Sequence, residues 1–229
     1  MRVVASSRDE PRLRAVAEMV APGSTVADVG SGDGRLARML ASRGCTVIAT
    51  EKTRGQTRRL TTAISGTTVR VVEGFGLRPL RDLCLDVVVI SGLGSRSIAR
   101  ILEDAPAALP WSLLLQPMQD PEALAHALRR LNRGVGRARL VRSRSRIYPV
   151  LEVPLGLGWN GGPVGRREDL LPWFSDDPLW DAWRDEVLQR GQRAGARASD
   201  PGGRWRLHGE DCGPRRDVGH ASTSLASKI

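Results

Sequence analysis

Asp28, Asp33 and Glu51, together with the glycines at 30, 32 and 34, are the residues whose types and spacing could do chemistry. They sit in Val26-Ala27-Asp28-Val29-Gly30-Ser31-Gly32-Asp33-Gly34-Arg35-Leu36 and at the end of the next apolar run, Thr46 to Thr50. The first stretch reads as a buried strand, a glycine-rich turn and a helix with apolar residues at Leu36, Met39 and Leu40. Glycines there permit positive φ and close approach of backbone to a ligand. The amides opening the helix are expected to face the bound group. Two ligand classes compete for such a loop. A dinucleotide fingerprint, G-x-G-x-x-G, sets a pyrophosphate on the helix N-terminus. Here the third glycine comes one residue early, and Asp28 would repel a pyrophosphate. S-adenosylmethionine, with its ammonium and sulfonium, suits that carboxylate and is the favoured cofactor. A turn that binds nothing is the bland alternative.

The elements that must position these residues follow a βαβα rhythm. A leading helix spans Arg12 to Val20, with Leu13, Val16, Ala17 and Val20 on one face. Strands are expected at Thr25 to Val29, Thr46 to Thr50, Val69 to Val72, Leu85 to Ser91 and Trp111 to Leu115. Helices are expected at Leu36 to Ser42, Gln56 to Ile64, Ser97 to Glu103 and Pro121 to Leu131. This predicts an α/β, doubly wound, Rossmann-like sheet over residues 1–155. Two final strands, Ala138 to Val141 and Ile147 to Val153, predict an antiparallel hairpin at one edge. A glycine-rich loop, Gly156 to Gly165, opens a small helical C-terminal element (156–193). Its helix, Asp169 to Gln192, has breaks at Pro172 and Pro178 and an apolar face of Leu179, Trp180, Trp183 and Val187. Residues 194–229, rich in Gly, Ser, Pro and Arg, are expected to be a disordered tail; Trp205, His208 and His220 have no partner pattern.

In an open α/β sheet the ligand lies at the carboxyl ends of the strands. Glu51 ends the second strand and is placed to accept from a ribose diol. Gly74-Phe75-Gly76, after the third strand, would lie beside an adenine. Ser91-Gly92-Leu93-Gly94, after the fourth, is where a methyl acceptor sits. The cofactor set is therefore Asp28, Gly30, Ser31, Gly32, Gly34, Glu51, Gly74, Phe75, Ser91 and Gly92. The acceptor loop has neither the Asn/Asp-Pro-Pro-aromatic motif of adenine N6 methylases nor a cysteine for C5-pyrimidine chemistry. A ring nitrogen with its own lone pair needs less help. Asp33 is the ionisable group nearest to relay a proton; its plainer reading is a cap that stabilises the loop.

The 229 residues carry a net charge of +10, and only Lys52 and Lys228 among the 35 basic residues are lysine. The arginine preference fits a GC-rich genome; the excess of base over acid does not follow from it. Arg129, Arg130, Arg133, Arg137, Arg139, Arg142, Arg144 and Arg146 crowd one stretch, and no acidic residue interrupts the sequence between Ala123 and Leu151. That is the footprint of a phosphate-rich partner. With Tyr148 the only nearby aromatic, structured RNA fits better than a stacked single strand. No membrane-spanning run or signal peptide is seen, so a cytoplasmic protein is expected. Cys45 and Cys84 flank apolar runs and read as core residues, and with Cys212 they form no metal spacing. Oligomeric state is not encoded in any pattern.

Taken together, Arg12-Leu13, Ala27-Asp28-Val29-Gly30-Ser31, Gly74-Phe75-Gly76-Leu77, Val89-Ile90-Ser91-Gly92-Leu93-Gly94-Ser95-Arg96-Ser97-Ile98 and Leu114-Leu115-Gln116-Pro117 resemble the TrmK-type bacterial tRNA (adenine-N1)-methyltransferases. The resemblance runs from about Pro11 to Gly156. It implies a Rossmann-like S-adenosylmethionine domain with a helical C-terminal domain, acting on N1 of adenosine 22 of tRNA. It implies that Asp33 is catalytic. It further implies that Arg96 and Gln116 contact the substrate; the arginine run, by its charge, adds expected phosphate contacts from Arg129, Arg133, Arg142, Arg144 and Arg146. The family's Gly-Ser-Asp-His-Ala becomes Gly30-Ser31-Gly32-Asp33-Gly34, moving the carboxylate by one residue. Met118 stands where the family has Asn. Two other classes remain: a methyltransferase of a small molecule or protein, and an RNA-binding module with a degenerate pocket.

Overall fold

A computed structural model of the protein describes residues 10–105, 109–118, 121–162 and 171–198. The helix α1 (Glu10–Glu18) leads into β1 (Thr25–Val29), α2 (Arg35–Ser42), β2 (Thr46–Glu51), α3 (Arg54–Ala63) and β3 (Arg70–Glu73). Then follow β4 (Val87–Leu93), α4 (Ser95–Glu103), β5 (Ser112–Pro117), α5 (Glu122–Arg130), β6 (Arg137–Ser143) and β7 (Arg146–Val153). Two further helices, α6 (Leu171–Phe174) and α7 (Trp180–Ala198), complete the described chain. The strands form one seven-stranded sheet in the order β3-β2-β1-β4-β5-β7-β6. The first five strands are parallel; β7 runs antiparallel to both β5 and β6. The order reverses between β1 and β4, which is where such sheets open a ligand crevice.

Strict alternation in the central strands divides the core into two layers. Ala27, Val29, Val88, Ile90, Leu113 and Leu115 face one side, against Ile98, Leu102, Leu124 and Leu128 of α4 and α5. Val26, Val89 and Leu114 face the other, against Val16 of α1, Leu36 and Leu40 of α2, and Leu60 of α3. The unbroken apolar run of β4 follows from this double burial. Trp173, Phe174, Trp183 and Val187 join the first layer, so α6 and the start of α7 pack on the sheet core. Pro172 lies in the first turn of α6, where proline is tolerated. Pro178 stands just before α7. By contact density the chain divides into Met1–Leu188 and Gln189–Ile229.

Three expectations about the elements shift. β4 continues through Leu93, and α4 starts at Ser95, so the expected acceptor loop is partly strand. Cys84 is exposed in the turn before β4 and is not a core residue, whereas Cys45 is buried. The helix α7 extends to Ala198, past the expected start of the tail at 194. The rest of that tail, with Trp205, His208, Cys212 and His220, lies outside the described residues, as do 163–165 of the glycine-rich loop and 169–170 of the expected helix.

Candidate active site

The register levels the ends of three strands. Asp28 pairs with Ala49 of β2 and Val89 of β4, and Val29 with Thr50 and Ile90, so Gly30, Glu51 and Ser91 emerge together at the carboxyl edge. A cavity of about 740 Å³ opens there, within the range of small-molecule sites. Asp28, Gly30, Ser31, Gly32, Asp33, Glu51, Gly74, Phe75, Ser91 and Gly92 all line it. Of the residues assigned to the cofactor from sequence, Gly34 stays outside. Its φ of +72° puts it in the left-handed region, and a Cβ there would lie 2.3 Å from Ile64 Cγ2 and 3.0 Å from Leu60 Cδ1. Gly34 thus lets α2 meet α3, and its role is packing. Gly34→Ala should destabilise the fold by about 2–3 kcal/mol through backbone strain plus overpacking. Urea unfolding reads this, and a loss below about 1 kcal/mol would contradict the packing role.

The amides of Gly30, Ser31, Gly32 and Gly34 turn to protein acceptors and not to the cavity. The amides of Gly30 and Ser31 donate to the Thr50 carbonyl at 3.0 and 3.1 Å, and that of Gly34 donates to Ser31. The Gly32 amide donates to Glu51 Oε1 at 2.6 Å. The Arg35 amide, opening α2, lies 3.4 Å from Asp33 Oδ1. The four amides at 30, 31, 32 and 34, committed to protein acceptors, are not offered to a phosphate. The loop presents carboxylates instead. Asp28 is 2 % exposed and accepts from Ser31 Oγ at 2.5 Å. Burial pushes its carboxyl up to about 6, opposed by the Ser31 hydrogen bond and helped by the negative charges of Glu51 and Asp33. Such a buried cluster favours a cationic ligand, which would relieve the repulsion. Glu51 Oε2 has no protein partner among the described residues. It is available for the hydroxyls expected of a ribose.

Asp33 lies at the rim. Its side chain is 59 % exposed and forms an ion pair with Arg35 at 2.8 Å. At the acceptor end, Arg12 enters from α1. Its guanidinium donates to Ser91 Oγ at 3.2 Å and to Gln116 Oε1, and lies over the Tyr148 ring at 5.8 Å. Sequence reasoning did not place Arg12 in the site, though a signal existed. It lies four residues before Val16, on the apolar face of an amphipathic helix, where a charge requires a reason. Lys52, Gln56, Ser97 and Arg100 also reach the cavity. They occupy the turns and first helical residues after β2 and β4, which any carboxyl-edge site recruits.

The assigned substrate residues separate in space. Gln116 is fully buried and does not line the cavity, so direct substrate contact is not available to it. Arg96 is exposed in the first turn of α4, at the cavity edge of the sheet. Arg133 is 8 % exposed and donates to the carbonyls of Leu109, Trp111, Val153 and Pro154 at 2.8–3.3 Å. It ties loops together and is not a phosphate contact. Arg129 ends α5, which returns from the carboxyl edge, so it lies at the opposite edge from the cavity. Neighbouring Arg130 pairs there with Glu103 at the end of α4. Arg137 pairs with Glu152 and Arg139 with Glu18. Acids distant in sequence thus interrupt the basic run in space. Arg142, Arg144 and Arg146 remain exposed at the β6–β7 turn, without an ion pair among the described residues. Because β6 is parallel to β5, that turn projects from the cavity edge. Arg142 pairs with Ile147, four positions beyond the Leu151–Leu115 pair, so the tip stands roughly 13 Å past Leu115. Arg144 holds φ +58°, a left-handed conformation that costs a non-glycine residue about 1–2 kcal/mol.

The sequence profile of the methyltransferase domain matches residues 10–151. The chain belongs to the methyltransferase domain family. The matched span runs from α1 into β7 and so contains every element that lines the cavity. No curated protein is similar in sequence to this methyltransferase. Three solved structures share its fold. The B. subtilis m1A22 tRNA methyltransferase TrmK aligns with a TM-score of 0.65 at 22 % identity, over 87 % of this chain and 89 % of that one. The M. capricolum TrmK complex with S-adenosyl-homocysteine aligns at 0.66 and 15 % identity, over 80 % and 85 %. A Streptococcus pneumoniae putative tRNA (m1A22) methyltransferase in complex with S-adenosyl-L-methionine aligns at 0.64 and 24 % identity, over 82 % and 88 %. At these identities the likeness is one of fold. No helix among the described residues is long and apolar enough to cross a membrane, and no group of His, Cys, Asp or Glu among them could hold a metal ion.

Proposed function

We propose that this methyltransferase uses S-adenosylmethionine to methylate tRNA at N1 of an adenosine, with position 22 indicated by the family resemblance. The observation that carries the reading is the cavity's charge: a buried Asp28, with Glu51 beside it, on a loop whose amides at 30, 31, 32 and 34 are engaged by protein acceptors. This arrangement suits a sulfonium amino acid nucleoside and disfavours a pyrophosphate. Bound there, S-adenosylmethionine supplies an electrophilic methyl group. The chain's own part is orientation, which in such transfers supplies most of the rate. Asp28 and Glu51 hold the cationic and ribose ends, and Gly74 and Phe75 border the site expected for adenine. Ser91 and Gly92 face the acceptor. N1 of adenine attacks with its ring lone pair, so no base is required before the bond forms. That fits an Asp33 paired with Arg35 at the rim: we assign it to the loop and to the field of the site before proton transfer. The tRNA methyltransferases among the structural neighbours, and an arginine hairpin on the cavity edge, support tRNA as the substrate and the cytoplasm as its place.

Incubation of bulk tRNA with the protein and S-adenosylmethionine, followed by nucleoside mass spectrometry, should yield 1-methyladenosine. None above a no-enzyme control would reject the proposal. Acid should weaken cofactor binding, because the cation requires ionised Asp28, whose carboxyl titrates at about 6 in the free protein. Calorimetry should show Kd rising about tenfold per pH unit below that point and level above it. A flat profile from pH 5 to 8 would contradict the pairing.

Replacing Arg142, Arg144 and Arg146 together with alanine should weaken tRNA binding. It should also reduce the slope of log K against log salt by about 2 to 3, one phosphate per arginine. An unchanged slope would move the tRNA interface elsewhere.

A further inference from the structure

The end of β4 is irregular in a way that its function has to accommodate. Ser91 pairs with Gln116 and Leu93 pairs with Pro117, so Gly92 is an extra residue, a bulge with φ +79°. A bulge takes one amide out of the ladder. Here the Gly92 amide donates to the side chain of Gln116, at 3.1 Å from Oε1. The same oxygen accepts from Ser91 Oγ at 3.2 Å and from Arg12. Gln116 Nε2 donates to the Pro117 carbonyl at 2.7 Å, so both ends of the side-chain amide are fixed and its orientation is determined. The Arg12 guanidinium lies against the face of Gly92, where a Cβ would sit 3.6 Å from Nη1. Past the bulge, the Met118 amide returns to the Leu93 carbonyl at 2.8 Å.

We infer that Arg12 and Gln116 are positioning residues: a buried latch that fixes the Gly92 bulge, and through it the segment presented to the methyl acceptor. Neither acts on the reacting atoms. Arg12 polarises the Gln116 carbonyl and blocks its rotation. Gln116 in turn holds the one amide that the ladder has released. The cofactor end of the cavity, at β1 and β2, does not depend on this pair. The latch rests on the methyltransferase reading above for its kinetic consequence, but not for its structural one.

The test uses the full chain with Arg12→Met, Arg12→Lys and Gln116→Met, read two ways. Hydrogen exchange over 90–95 should quicken about tenfold in both Met variants while residues 28–34 stay unchanged. In tRNA methylation, kcat should fall roughly 10- to 100-fold with KM for S-adenosylmethionine within about threefold. Arg12→Lys, which keeps a donor, should regain part of kcat. If a Met variant fails to fold, Gln116→Glu replaces it: this keeps an acceptor for Gly92 but loses the donor to the Pro117 carbonyl, so exchange at 90–95 should quicken, and unchanged exchange there overturns the latch. Unchanged exchange at 90–95 in the Met variants overturns the latch, as does a loss confined to cofactor affinity. Should the wild-type chain transfer no methyl group to tRNA, the substrate reading falls, and exchange alone still decides the latch.

Discussion

Asp28→Asn should lose the cofactor and gain stability. The substitution keeps the shape and an acceptor for Ser31 Oγ, and removes only the charge. Removing one partner of a buried charge pair costs about 2–5 kcal/mol, so S-adenosylmethionine should bind at least about 30-fold more weakly. Stability moves the other way. The folded carboxyl titrates at about 6, above the ordinary 3.8 of an aspartate. Between those values the folded state holds a proton that the unfolded state has lost, so stability falls as pH rises. Below about pH 4 both states are protonated and the cost vanishes. Above about 6 the buried charge costs ~3 kcal/mol, an upper figure, since water and loop motion relax it. Denaturant unfolding at pH 8 should therefore find the Asn variant more stable than wild type, with the difference closing towards pH 4. A variant that lost stability and kept cofactor affinity would remove Asp28 from the binding role.

Arg133→Met should do the converse, reducing stability while leaving RNA binding intact. Its guanidinium gathers the carbonyls of Leu109, Trp111, Val153 and Pro154 from the chain entering β5 and the chain leaving β7. Methionine matches the stem but leaves buried acceptors without donors. Breaking such an arrangement costs about 3–5 kcal/mol, which for a chain of this size lowers Tm by roughly 10 °C. Affinity for tRNA and its salt slope should stay within about twofold of wild type, because the group touches no solvent-facing phosphate path. A selective loss of tRNA binding with Tm unchanged would restore Arg133 to the interface.

The two variants mark where sequence reasoning succeeds and where it stops. Asp28 and Glu51 were legible because each ends an apolar strand, and strand ends in an open α/β sheet converge on one crevice. The glycine loop was legible as a site, but its chemistry was misassigned in part. Spacing reveals that glycines are needed, and does not reveal whether their amides point to a ligand or to Thr50 and Glu51. Gly34 illustrates the same limit. It reads as a third ligand glycine and is required by Ile64 and Leu60 of a neighbouring helix.

The arginine run was the least transferable signal. Adjacency in sequence made Arg129, Arg133 and Arg142 appear to be one patch, yet Arg129 and Arg133 sit where α5 ends, and β6 then carries the chain across the sheet to Arg142 at the other edge. Sequence also concealed the acids that neutralise Arg130, Arg137 and Arg139, since Glu103, Glu152 and Glu18 come from three other elements.

The sequence by itself determined the alternating elements, the doubly covered sheet and the acidic, glycine-rich crevice. These depend on periodicity and on local backbone preference, which act over a few residues. Only the tertiary structure decided which arginines stay exposed at the cavity edge, which one is a buried clamp, and how Arg12 and Gln116 meet at the Gly92 bulge. Burial and pairing belong to neighbours brought together across the sheet, and the linear order of a chain does not carry the distance between them.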